Sequence, residues 1–112
     1  MSVISANDSE HYHWGTNCDG WHLVKNEALS VIQERMPPNS AEEAHFHQHA
    51  QQFFYILHGT ATMEVNGVTQ TLTSGQGMHV PAGVWHKMQN QHAEDLHFTV
   101  TSTPPSHGDR VV

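Results

Sequence analysis

From Trp21 onward, short segments rich in β-branched and aromatic residues recur every eight to twelve positions, with Gly, Pro and Asn between them. That spacing belongs to an all-β sandwich or barrel. It predicts strands over 21–24, 29–36, 43–47, 52–58, 60–66, 68–73, 77–80, 85–90 and 95–102. The clearest local signal is Asn66-Gly67, set between two alternating stretches as a two-residue type I′ hairpin requires. Met36-Pro37-Pro38-Asn39 and Ser74-Gly75-Gln76-Gly77 are further breaks, since proline lacks a ladder donor and glycine admits positive φ. No stretch of ten or more residues carries a strong helical stripe, and no segment repeats. Residues 1–20 are polar without a sustained period and are expected to form an N-terminal arm, partly disordered. The barrel is expected over 21–103, with 104–112 as a C-terminal tail lying over its outside.

A chain of 112 residues has room for one core, and 37% hydrophobic residues, including three Trp, four Phe and two Tyr, suffice to build it. A core this short makes a homodimer the expected state. Four Lys and Arg against 11 Asp and Glu give a formal charge of -7, which repels phosphate backbones, so nucleic acid is not an expected partner. The longest wholly apolar run, Phe53 to Leu57, has five residues, whereas a spanning helix needs about twenty. No membrane span is expected. Asp8, Glu10 and Asp19 interrupt the start of the chain, which lacks the basic and apolar regions of an export signal, so a cytoplasmic location is expected. Cys18 is the single cysteine and is read as a free thiol.

Twelve histidines are many for this length. His45, His47 and His49 alternate with Phe46 and Gln48, so an extended strand would point all three to one face, and two neighbours could close on one ion. An isolated His-x-His carries little weight, because roughly one such pair arises by chance at this composition. Three pairs occur, His11/His13, His45/His47 and His47/His49.

A second segment changes the odds. It reads Gly75-x5-Pro81-x-Gly83-x2-His86-x3-Asn90, and the first reads His45-x-His47-x4-Gln52-x6-Gly59. Together, over about residues 40–102, they resemble the two motifs of the cupin superfamily, and every position of the second motif is met. The resemblance implies a small antiparallel double-stranded β-helix, a jelly-roll barrel of two facing sheets with a metal inside one mouth. His45 and His47 would come from one strand, Gln52 from the next, and His86 would face them from across the barrel after the Pro81-x-Gly83 turn. The ion would be one divalent transition metal among Fe, Ni, Zn, Mn and Cu, since imidazole suits most of these. Gln52 departs from the pattern, which has glutamate there. It could ligate through its carbonyl oxygen, hold a metal-bound water, or stand by as a spectator; each leaves the ion with less neutralising charge than a carboxylate would.

The remaining residues take plainer roles. His49 is expected at the mouth, His58 at a strand end, and His79 and His97 on either strand face. His11, His13, His22, His92 and His107 are expected in solvent, Asn90 as a structural hydrogen-bonding group, and Phe54, Ile56, Met63, Trp85, Met88 and Phe98 in the core. Glu42, Glu43 and Glu64 fall near strand ends or turns, so no separate base is evident and no catalytic residue is assigned. The functional expectation is a metal-dependent oxygenase acting on a small anionic molecule. The alternatives are a metal- or ligand-binding module without turnover, or a sugar or sugar-phosphate isomerase or epimerase. That last reading needs cations for phosphate, and of Lys25, Arg35, Lys87 and Arg110 only Lys87 adjoins a ligand.

Overall fold

The computed structural model describes residues 2–112. A single 3-10 turn at Ala6–Asp8 precedes the strands β1 (Glu10–Trp14), β2 (Cys18–Lys25), β3 (Ser30–Met36), β4 (Ser40–Ala41), β5 (Phe46–His47) and β6 (Gln51–His58). They continue as β7 (Thr60–Val65), β8 (Val68–Thr73), β9 (Gly77–Val80), β10 (His86–Asn90), β11 (Leu96–Thr103) and β12 (Arg110–Val111). A six-stranded sheet of order β1-β2-β3-β11-β6-β9 faces a four-stranded sheet of order β4-β10-β7-β8, and β12 pairs with β5. Among the described residues no helix is long and apolar enough to cross a membrane.

Strict alternation builds the interior. On β6, Gln52, Phe54 and Ile56 point inward, and on β11 so do Leu96, Phe98, Val100 and Ser102. The two strands run antiparallel in a register that sets Phe98 beside Ile56, Val100 beside Phe54 and Ser102 beside Gln52. Both inward rows therefore change from apolar to polar toward the same end. At the apolar end Met36, Ile56, Met63, Met88, Leu96 and Phe98 are sealed from solvent, each worth about 1.5–3 kcal/mol of burial. The other end is a polar mouth.

All nine predicted segments overlap observed strands, and 68–73 and 77–80 agree end for end. Asn66 and Gly67 have φ of 49° and 80° and join the paired Val65 and Val68, as the type I′ turn requires. Trp85 does not join the core; it is 43% exposed and stands edge-on to Phe46 at 4.9 Å. The reason is parity, because His86 points inward and its neighbour on an extended chain must then point out.

Three segments depart further from expectation. Residues 10–20 are not an arm: β1 and the start of β2 extend the six-stranded sheet, with Tyr12 and Trp14 turned toward the core and His11 and His13 away. The period of two was present in Glu10–Trp14 but was hidden by imidazoles, which read as neither apolar nor charged. His22 shares the inward parity of β2 and is buried, and Cys18 is buried in the core cluster, so burial pushes its thiol up. The tail does not lie over the outside. β12 docks on β5, and the Asp109 carboxylate accepts the His49 and Ala50 N–H groups at 2.9 and 2.8 Å, which draws 106–110 across the mouth.

Gly59 closes the turn between β6 and β7 at φ 87°, and a Cβ there would stand 2.5 Å from the Asp95 carbonyl oxygen. Gly75 has a similar φ of 84° but open space around it. Gly75→Ala is therefore expected to cost about 1 kcal/mol from the left-handed backbone alone, and Gly59→Ala at least about twice that because the backbone must also move. Chemical denaturation of the two variants checks the order, and equal losses would show that the 59 turn relaxes freely.

Candidate metal centre

His45 lies just before β5 and exchanges both backbone hydrogen bonds with His86, at 3.0 and 2.9 Å. His86 is therefore the cross-strand neighbour of His45 and does not face it from across the barrel. The reversal at 81–83 lays the start of β10 directly alongside residue 45, so the rings meet on one wall. The His45 and His86 centroids are 4.4 Å apart, with His47 at 5.0 and 5.9 Å from them. One ring nitrogen from each of the three lies within 4.8 Å of the others. The opposing six-stranded sheet contributes Gln52, whose Nε2 donates to Ser102 Oγ at 3.0 Å.

All four side chains are at least nine-tenths buried, and their partners fix which atoms are free. His45 Nδ1 meets the Glu43 carbonyl at 2.7 Å and His86 Nδ1 meets the Val84 carbonyl at 3.0 Å. A carbonyl only accepts, so both Nδ1 atoms carry the proton and both Nε2 atoms present a lone pair. His86 Nε2, His47 Nδ1 and Gln52 Oε1 are buried without any hydrogen-bond partner. Burial pushes His45 down to about 4 and holds His47 and His86 below the ordinary imidazole range, so all three rings are neutral at pH 7. Orphaned acceptors cost about 1–3 kcal/mol each, and a divalent cation on convergent neutral imidazoles removes that cost. The residues fit such an ion.

The mouth opens into a cavity of about 240 Å³ bordered by His45, His47, Gln52, Phe54 and Val100. Tyr12, Glu34 and Glu42 border it too, and the sequence reading assigned none of them to the site. Tyr12 Oη donates to Glu34 Oε1 at 3.3 Å, and the Met88 N–H donates to Glu42 Oε1 at 2.9 Å. Burial first, and the charge of Glu42 second, push the Glu34 carboxyl up to about 8. Burial pushes Glu42 up to about 7 against the Met88 N–H and Arg110, and Tyr12 stands well above the ordinary phenol range for the same cause. A signal for Glu34 was available. Ser30, Ile32, Glu34 and Met36 share one parity on β3, so a carboxyl was inserted into an inward row.

Other histidines behave plainly. His49 is exposed and outside the three-ring group, and His79 is exposed and bonded to Gln51 Oε1 at 2.9 Å. Asn90 is fully buried; its Nδ2 donates to the Met36 and Glu94 carbonyls at 2.9 and 2.8 Å, which ties β10 to the loop before β11.

The family model described as the cupin domain matches residues 32–102, more than half of the chain. The chain is a cupin. It is similar to the polyketide synthase CurC of Streptomyces cyaneus, 26% identical over an alignment of 77 residues, with 65% of this cupin and 50% of that protein covered. This cupin spans half or less of the curated relatives it matches. Among solved structures, the polyketide cyclase RemF of Streptomyces resistomycificus superposes with a TM-score of 0.86 at 17% identity, covering 100% of this chain and 85% of that one. A predicted oxalate decarboxylase of Thermotoga maritima superposes with a TM-score of 0.85 at 20% identity, covering 93% and 100%. At these identities the structural likeness speaks for the fold.

Proposed function

We propose that this cupin holds one divalent transition-metal ion on His45, His47 and His86, with Gln52 at its border, and catalyses proton transfer on a small oxygen-rich molecule. The observation that carries this reading is the Tyr12–Glu34 pair, with Glu42, bordering the same cavity as the His45 and His47 imidazoles. A bound ion would polarise a substrate carbonyl or hydroxyl oxygen. Glu34, poised near neutral pH, is suited to take a proton from carbon beside that oxygen and to return it, and the Tyr12 hydroxyl orients the carboxyl that does so. Ser106, His107 and Gly108 border the cavity from the tail and limit entry of water.

Glu34 acts as a base only while ionised, and a substrate anion beside it would hold its proton on, so the small anionic substrate expected from sequence gives way in this proposal to a neutral or weakly acidic one. Phosphate finds little support, because Arg110 is the one cationic side chain among the described residues bordering the cavity, and its Nη2 already donates to the Glu43 carbonyl at 3.3 Å. The names of CurC and RemF refer to polyketides, and an enolisable polycarbonyl is the kind of molecule such a site would take. The oxygenase reading keeps one specific support, a set of three imidazoles with a neutral amide and no carboxylate among the ligands.

The test uses metal-loaded protein and a panel of 1,3-diketones and α-hydroxyketones in D2O, under argon and under oxygen. Proton transfer predicts deuterium uptake at carbon above the buffer rate under argon, reduced about a hundredfold in Glu34→Gln. Oxygen consumption matching loss of diketone would replace this reading by the oxygenase. Neither response would leave a binding module.

A further inference from the structure

We propose a second cation site on the outer face of the six-stranded sheet, formed by His11, His13 and Asp19. The β1–β2 register sets His13 opposite Asp19 and His11 opposite Trp21, and parity turns these side chains away from the core. An isolated His-x-His is at chance level in this chain; the third ligand is what separates this pair. Asp19 Oδ1 stands 2.7 Å from His11 Nε2 and 3.1 Å from His13 Nδ1, and one ligand atom from each residue lies within 4.8 Å of the others.

The carboxylate is also aimed. Arg35 Nε donates to Asp19 Oδ2 at 2.8 Å, and the same guanidinium is anchored by the Asn17 carbonyl at 2.9 Å and by Asp95 at 3.3 Å. Oδ1 is thereby left for the two imidazoles, the outer-shell arrangement that orients a metal ligand. Arg35 and the histidines hold the Asp19 carboxyl below the ordinary range although burial opposes them, so a carboxylate is present at neutral pH. His11 and His13 are 37% and 77% exposed, which leaves room for water to complete the coordination. Two imidazoles and one carboxylate suit Zn(II), Ni(II) or Cu(II) and not a hard cation such as Mg(II).

The site has a structural consequence. β1 is an edge strand, and its inward residue Tyr12 borders the inner cavity and donates to Glu34. A cation joining 11 and 13 to 19 staples that edge to β2 and fixes the strand that carries Tyr12.

Equilibrium dialysis against Zn2+ with elemental analysis tests this on the full chain. Wild type is expected to take up two ions per chain, and His11→Gln with His13→Gln, both exposed positions that leave the core intact, one. The indole N–H resonance of Trp21, whose ring lies 5.3 Å from His11, is expected to shift on addition of Zn2+ in wild type and not in the double variant. Two ions retained by the double variant, or one ion in both proteins, would overturn the outer site. One ion in wild type and none in the double variant would keep the outer site and defeat the inner one.

Discussion

His86→Ala is expected to reduce the metal retained at the inner site from about one ion per chain to under a tenth. The ring is 2% exposed, its Nδ1 is pinned by the Val84 carbonyl, and its Nε2 has no partner in the protein. Its loss leaves two neutral imidazoles and no carboxylate, too few donors to keep a divalent ion against a chelator. His49→Ala, one strand step beyond His47, is expected to retain the ion, since its side chain lies in solvent and its anchoring is through the backbone N–H to Asp109. Gln52→Glu is expected to tighten binding by at least about tenfold, because it returns a negative charge beside the cation and Ser102 can turn its hydroxyl to donate. Elemental analysis and chelator competition, run with His11→Gln and His13→Gln in the background, read all three. Loss at 49 exceeding loss at 86 would mean that a different set of rings binds the metal.

How far the sequence reached follows from which signals are local. Strand positions were readable because turn residues and parity act over a few neighbours, and the Asn66-Gly67 hairpin is the plainest instance. The three imidazoles were found through spacing that resembles a known pattern, while their arrangement was not. That His86 lies beside His45 depends on a backbone bridge between residues 41 positions apart. Glu34 escaped because a carboxyl on a β-strand reads as solvated unless its parity is checked against Ile32 and Met36. Tyr12 escaped because imidazoles masked the period of two over residues 10–14, and its burial comes from the pairing of β1 with β2. The tail was misplaced for a similar reason: Asp109 acts on the backbone N–H groups of residues 49 and 50, some sixty positions away.

The half-buried Glu34 carboxyl predicts how stability depends on pH in the metal-free protein. In the unfolded chain Glu34 loses its proton near 4.5, and in the folded chain it keeps that proton up to about 8. Between those values the folded state binds more protons than the unfolded one, so this group's contribution to stability falls as pH rises and levels off above about 8. Glu34→Gln keeps the shape and an acceptor for the Tyr12 hydroxyl but cannot ionise. Relative to that variant, wild type is expected to lose on the order of 2 kcal/mol from pH 5 to pH 9, roughly 10 °C in Tm, the ideal figure being reduced by water in the cavity. Taking the difference between the two proteins at each pH removes the histidine contributions, whose sign is opposite because burial lowers His45, His47 and His86. A difference that does not change with pH would make Glu34 an ordinary ionised carboxylate and would remove the proton carrier that the proposed chemistry needs. Loading the inner site should shrink the effect, because a cation in the same cavity favours the charged carboxylate. The gap between stripped and loaded curves therefore measures the coupling between Glu34 and the metal on which the proton-transfer reading depends.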